Sequence, residues 1–203
     1  MGCYTVVMSE STIKNTPQRS SPSGSKRKPK KITDSYLHNA GLFYLQRFAS
    51  SRKNFIAVMD RKIRKSCREH PEQDYNSCKL LLEKTADTFE RSGLLNDTVF
   101  AEGLISSLRR RGLSRSAVLQ KLQQKGIGRN DALPKLQHFD EQTADDAELQ
   151  AALKFAQKKR IGPFSTKPED DKSIKKFYSI FARGGFCYEI AQKVLKTDSD
   201  NFP

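Results

Sequence analysis

Between residues 109 and 129 the chain carries Arg109, Arg110, Arg111, Arg115, Lys121, Lys125 and Arg129. Guanidinium and ammonium groups at this density are suited to capturing anions. Each phosphate contact releases counterions, and each guanidinium offers a planar fork of donors. A second group, Lys158, Lys159, Arg160, Lys175, Lys176 and Arg183, follows in the last third of the chain. A helix C-terminus would explain one of the three consecutive arginines, since a cation there complements the helix dipole by about 0.3–1 kcal/mol. Three in a row, with four more cations after them, point to an anionic partner. These residues are the candidate binding site. The net charge of +14 is spread along the chain and broken once, at residues 140–150, which hold five carboxylates and no Lys or Arg. Solubility alone is the competing explanation for such a balance.

Other chemistries find less support. Cys67, His70 and Cys78 could be three zinc ligands, but their spacing matches no common zinc module and no fourth ligand is nearby. The four cysteines contain no CxxC pair, which suits ordinary thiols in a reducing compartment. His38, His70 and His138 lie in different segments. The sequence has no nucleophile elbow, no GxxxxGK[ST] phosphate loop and no paired catalytic carboxylates. Neither an enzyme nor a bound metal or cofactor is expected. The acidic stretch DEQTADDAE (140–148) reads as a solvated linker or as the N-terminus of a helix beginning near Ala147. No apolar run approaches the ~20 residues of a membrane helix. The start, MGCYTVVMSE, lacks the parts of a signal peptide, so a cytoplasmic protein with no membrane partner is expected.

The elements that must hold the cations are short helices. In SRSAVLQKLQQKGI (114–127), apolar residues fall at +4, +5 and +8 from Ser114 (Val118, Leu119, Leu122), and Gly126 falls at +12. This spacing predicts an amphipathic helix with a serine N-cap and a glycine stop. The same ruler fits from Ser51 (Phe55, Ile56, Met59) and from Ser173 (Phe177, Tyr178, Phe181, with Gly185 at +12). Leu42 and Leu45 precede the first copy at the offsets at which Ile105 and Leu108 precede the second. Leu136 and Leu195 follow the second and third in a third, short helix, with Pro134 in its first turn. The repeated unit is therefore helix, turn, helix, glycine turn, helix, and stacking such units buries more than one can alone. Leu119 and Phe177 are expected to be buried. Phe177, Tyr178, Phe181 and Phe186 could pass for a base-stacking platform, but their helical spacing places them in a core. Hydrophobic content of 36% fits a thin core. Residues 1–33, rich in Ser, Pro, Lys and Thr, are expected to be a disordered basic tail. CREHPEQDYNS (67–77) reads as a loop.

Three stretches resemble the RecX family of recombinase regulators: GLLNDTVFA (93–101), RRRGLSRSAVLQKLQQKGI (109–127), and KKRIGPF (158–164) with FARGGFCYEIAQKVL (181–195). The first repeat departs from the pattern, with Ile63 where the glycine stop would fall and a polar insert after it. The resemblance implies an all-α protein of three tandem three-helix repeats in an elongated, curved array. Its expected divisions are 34–92, 93–139 and 140–203. It also implies a monomer that binds the RecA recombinase and its filament on single-stranded DNA and restrains ATPase and strand exchange in recombination, DNA repair and the SOS response. The alternative is a self-sufficient DNA-binding protein in which 114–137 forms a helix-turn-helix read by residues 129–137.

Overall fold

The computed structural model describes residues 28–143, 146–166 and 170–197, and these residues form helices with no strand. The first repeat is α1 (Asp34–Leu45), α2 (Arg52–Glu69) and α3 (Tyr75–Arg91). The second is α4 (Asp97–Arg110), α5 (Arg115–Gln124) and α6 (Arg129–Thr143). The third is α7 (Ala147–Lys159), a short 3-10 turn at Gly162–Phe164, α8 (Asp171–Arg183) and α9 (Tyr188–Leu195). Each repeat has its own core: around Phe55, Leu82 and Phe89 in the first, Ile105, Leu122 and Leu136 in the second, and Phe177, Phe181 and Val194 in the third. Ile32 and Leu95, on either side of the expected first repeat, both pack into its core. Extensive helix–helix packing stays within repeats, except where α6 meets α7.

The helices form where the periodicity places them. The +4 and +8 positions are buried in every copy (Phe55 and Met59, Val118 and Leu122, Phe177 and Phe181). The +5 positions Ile56, Leu119 and Tyr178 are only half-buried, which corrects the expectation for Leu119. In a helix, +5 lies 100° round from +4 and so sits at the margin of the buried face. Phe186 is buried with Phe177 and Phe181, while Tyr178 stacks on exposed Tyr188 with ring centroids 4.9 Å apart.

Several boundaries differ from the sequence reading. With Ile63 buried in place of a glycine, α2 continues to Glu69, so the loop is only 70–74 and the rest of 67–77 is helical. The third helix of repeat 2 is not short: α6 runs 15 residues to Thr143, and Pro134, expected in its first turn, stands inside the helix in its second. The expected cap Ser173 lies inside α8. Asp170 is the N-cap, and Ser173 closes a reciprocal capping box with it. Residues 1–27 lie outside the described residues, and the last six of the expected tail, 28–33, pack against α2 and the loop after it.

The two remaining cap serines join the repeats. Ser114 Oγ accepts from the Ala117 amide of its own helix and donates to the Gly184 carbonyl at the end of α8, 2.6 Å away. Ser51 Oγ likewise accepts from the Asn54 amide and donates to the Lys125 carbonyl at the end of α5. The N-terminus of each second helix thus sits on the C-terminus of the next, and α2, α5 and α8 follow one another. This approach requires glycine just after each contact. Gly126 (φ 91°) and Gly185 (φ 79°) are left-handed, and a Cβ would stand 2.6 Å from Lys53 Cβ at the first and 2.8 Å from Ser114 Oγ at the second.

Candidate functional site

The residue after each cap serine is an arginine, and its surroundings decide what it can do. The Arg115 amide, the first of α5, donates to both carboxylate oxygens of Glu148 at 3.1 Å. Its guanidinium is 47% exposed and has an ion-pair contact of 3.4 Å with Asp140. Arg129 opens α6 and is exposed. Both arginines line one cleft of about 690 Å³, between α5 and α6 on one side and the Gly185–Cys187 turn on the other. Leu119 and Leu133 supply apolar wall, while Gln120 and Gln123 add amides. An anionic group bordered by an apolar one fits this lining: guanidinium forks take the charge, and Leu119 and Leu133 remove apolar surface from water.

The second predicted group is also partly gathered. Lys159, Arg160 and Lys176 line a cavity of about 450 Å³ in repeat 3, floored by Ile161, Ile174, Phe177 and Ile180. Arg160 caps α7 in a left-handed conformation (φ 51°) and is the one non-glycine with positive φ among the described residues. Lys175 and Arg183 are exposed on α8 outside this lining. Lys158 is drawn to the repeat 2–3 junction, where its Nζ donates to the Arg111 carbonyl at 2.9 Å. Arg110, Arg111, Lys121 and Lys125 are exposed on repeat 2 but do not line the cleft.

Arg109 must be withdrawn from the binding surface. Its side chain is 4% exposed and is enclosed by two carboxylates from the stretch that read as solvated. Nη1 donates to Glu148 Oε2 at 2.6 Å and to the Leu113 carbonyl at 3.0 Å. Nε and Nη2 both lie 2.8 Å from one oxygen of Asp140, and only Nε is aligned for a hydrogen bond. The acidic stretch is thus the counterion of a buried arginine. Asp140 lies on α6, and Asp146 caps α7 by accepting from the Leu149 amide. Three consecutive residues on a helix point in three directions, so one member of an arginine triplet beside an apolar face turns inward. The sequence reading missed Glu148, Leu133 and the two glutamines of the cleft. The repeated dipeptide Ser51-Arg52 and Ser114-Arg115 is the signal that could have located the junction. The same dipeptide in repeat 1 serves otherwise, for Arg52 is held at 2.7–3.1 Å by Glu83, Asp87 and Glu90 of α3.

Among the described residues, no three His, Cys, Asp or Glu side chains are grouped as a metal would require, and no helix is long and apolar enough to cross a membrane. Burial first, and then neighbouring Cys67, push the Cys78 thiol above its ordinary range.

Comparison with known proteins places this geometry. Residues 96–132 match the second three-helix domain of RecX. The regulatory protein RecX of Myxococcus xanthus (strain DK1622) is 33% identical over 183 residues, covering 90% of this chain and 95% of the relative. That of Agrobacterium fabrum (strain C58) is 33% identical over 162 residues, covering 79% and 82%. The crystal structure of RecX from Lactobacillus salivarius superposes with a TM-score of 0.58 at 18% identity, over 80% of this chain and 94% of that one, a likeness of fold.

Proposed function

This chain belongs to the RecX family of regulatory proteins, and from that premise we propose that it binds the RecA recombinase and its nucleoprotein filament on single-stranded DNA and restrains ATPase and strand exchange. It acts as a monomer, without a cofactor, in the cytoplasm. The observation that carries this reading is the cleft between repeats 2 and 3. There, Arg115 and Arg129 flank apolar wall on a junction whose own carboxylates are occupied by Arg109. A filament offers both halves of such a ligand, acidic protein surface and phosphate.

The test is recombinase ATPase and filament length on single-stranded DNA, titrated with the protein and with the double variant Arg115→Gln, Arg129→Gln. The parent should lower both readings. The variant should need about tenfold more protein, a loss of about 1.4 kcal/mol. An ATPase rate that stays constant at saturating parent would contradict the proposal. A sequence-specific footprint without recombinase would instead favour a self-sufficient DNA-binding protein.

A further inference from the structure

Repeat 1 carries a basic surface that neither cleft uses. Residues 28–33 and 61–72 hold eight Lys or Arg and two Glu. The two segments are far apart in sequence and are brought together by a clamp on the chain's backbone. Ser66 Oγ donates to the Lys30 carbonyl at 2.8 Å, and His70 Nε2 donates to the Pro29 carbonyl at 2.9 Å. The Gln73 amide pairs with Ile32 in both directions, accepting from its N–H and donating to its carbonyl, each at 2.9 Å. Ile32 itself is buried in the core of repeat 1.

The clamp grips the backbone and one isoleucine, and it leaves the lysine heads free. Lys28 and Lys30 are exposed beside the last turns of α2, where Arg61, Lys62, Lys65 and Arg68 are exposed as well. Two of the nearby carboxylates are already engaged, Asp60 with Arg64 at 2.6 Å and Glu72 with Lys31 at 2.6 Å, while Glu69 is exposed at the end of α2. None of the six cations stands in an ion pair among the described residues. Fixing this segment so that its lysines add to a like-charged helix costs repulsion, which an anionic ligand would offset.

We propose that this strap and the second half of α2 form a separate site for the phosphate backbone of a nucleic acid, one that engages phosphates and does not read bases. A polar, strongly cationic surface without apolar anchors is the character of a nucleic-acid interface rather than a protein one. Neither the strap nor α2 carries any of the exposed large apolar side chains. Tyr75, the aromatic residue that opens α3, is not free for base stacking. It lies under Arg64, 5.1 Å from the guanidinium carbon, and its hydroxyl donates to Asp60 at 2.7 Å. The site goes beyond the recombinase contact proposed above, and its test leaves the recombinase out.

The experiment measures binding of the full chain to a labelled duplex of about 30 base pairs and to an oligothymidine of equal length, across a salt series. The quadruple variant Lys28→Gln, Lys30→Gln, Lys62→Gln, Lys65→Gln should bind both at least tenfold more weakly. Its salt slope should be shallower by about three to four, close to one for each phosphate that is no longer neutralised. The variant Gln73→Ala keeps every charge but loosens the strap, and should weaken binding severalfold. Arg115→Gln with Arg129→Gln should weaken recombinase-free binding less than the quadruple variant does. The proposal is overturned if the quadruple variant binds both probes like the parent, if the parent binds neither at low salt, or if the cleft variant alone abolishes binding. It is likewise overturned if the parent binds only an acidic protein surface.

Discussion

The junction between repeats 1 and 2 and the junction between repeats 2 and 3 share one latch and differ in what surrounds it. At both, a buried serine caps its own helix and reaches the last carbonyl of the next, a left-handed glycine lets the two approach, and a carboxylate of the next repeat receives the amide of the following arginine. At the first junction Arg52 turns back onto the acidic row of α3, where it is 27% exposed and held by three carboxylates. At the second, Arg109 is buried between Asp140 of its own repeat and Glu148 of the next, and Arg115 is left 47% exposed in the cleft. The latch sets the order and spacing of the repeats. The buried ion locks repeats 2 and 3 into one platform and leaves the Arg115 guanidinium with a single, longer ion pair of 3.4 Å to Asp140.

The comparison can be broken most directly at the buried ion. Arg109→Gln should cost about 3–5 kcal/mol, because Asp140 and Glu148 lose their buried guanidinium and keep only Arg115 at the edge of the cleft. Arg52→Gln, which removes a partly exposed network, should cost no more than about 1 kcal/mol. Thermal and denaturant melts of the two variants measure the gap, and equal losses would mean that the junctions do not differ. The glycines probe the shared part. Gly126→Ala and Gly185→Ala should each destabilise by about 2–4 kcal/mol, since left-handed strain and a close contact add. The two values should agree within about 1 kcal/mol if the latch is the same. Below these come the cap serines. Ser51→Ala and Ser114→Ala should each cost about 1–2 kcal/mol by denaturant melting, the scale of a missing N-cap. The smallest effect is Leu119→Ala, about 1 kcal/mol for a half-buried side chain in the cleft. A larger loss would place Leu119 in the core.

The parts of the fold legible in the sequence were those set by local rules. The apolar periodicity located the second helix of each repeat, serine located its start in repeats 1 and 2, and glycine located its end in repeats 2 and 3. Local rules failed where a tertiary partner decided the outcome. Asp170 outcompeted Ser173 as a cap, so the helix begins about a turn earlier and Ser173 serves in the capping box instead. The direction in which each arginine of the triplet points depends on where α6 and α7 meet, which charge counting does not reveal. Residues 28–33 have the composition of a tail, but Ile32 and the carbonyls beside it find partners on α2 and in the loop after it. The cleft cations Arg115 and Arg129 were legible as charges. Their convergence depends on the Gly185–Cys187 turn, 56 or more residues away along the chain.

The central claim is that one latch holds both junctions while a buried ion locks only the second. Native-state hydrogen exchange of the full chain tests it amide by amide, since each region reports its own opening free energy. Amides at 113–118 and 184–186 should exchange only with global unfolding of repeats 2 and 3. Amides at 51–55 and 125–127 should exchange through a smaller opening that leaves the second junction protected. Equal protection at the two junctions, or earlier opening of the second, would contradict the account.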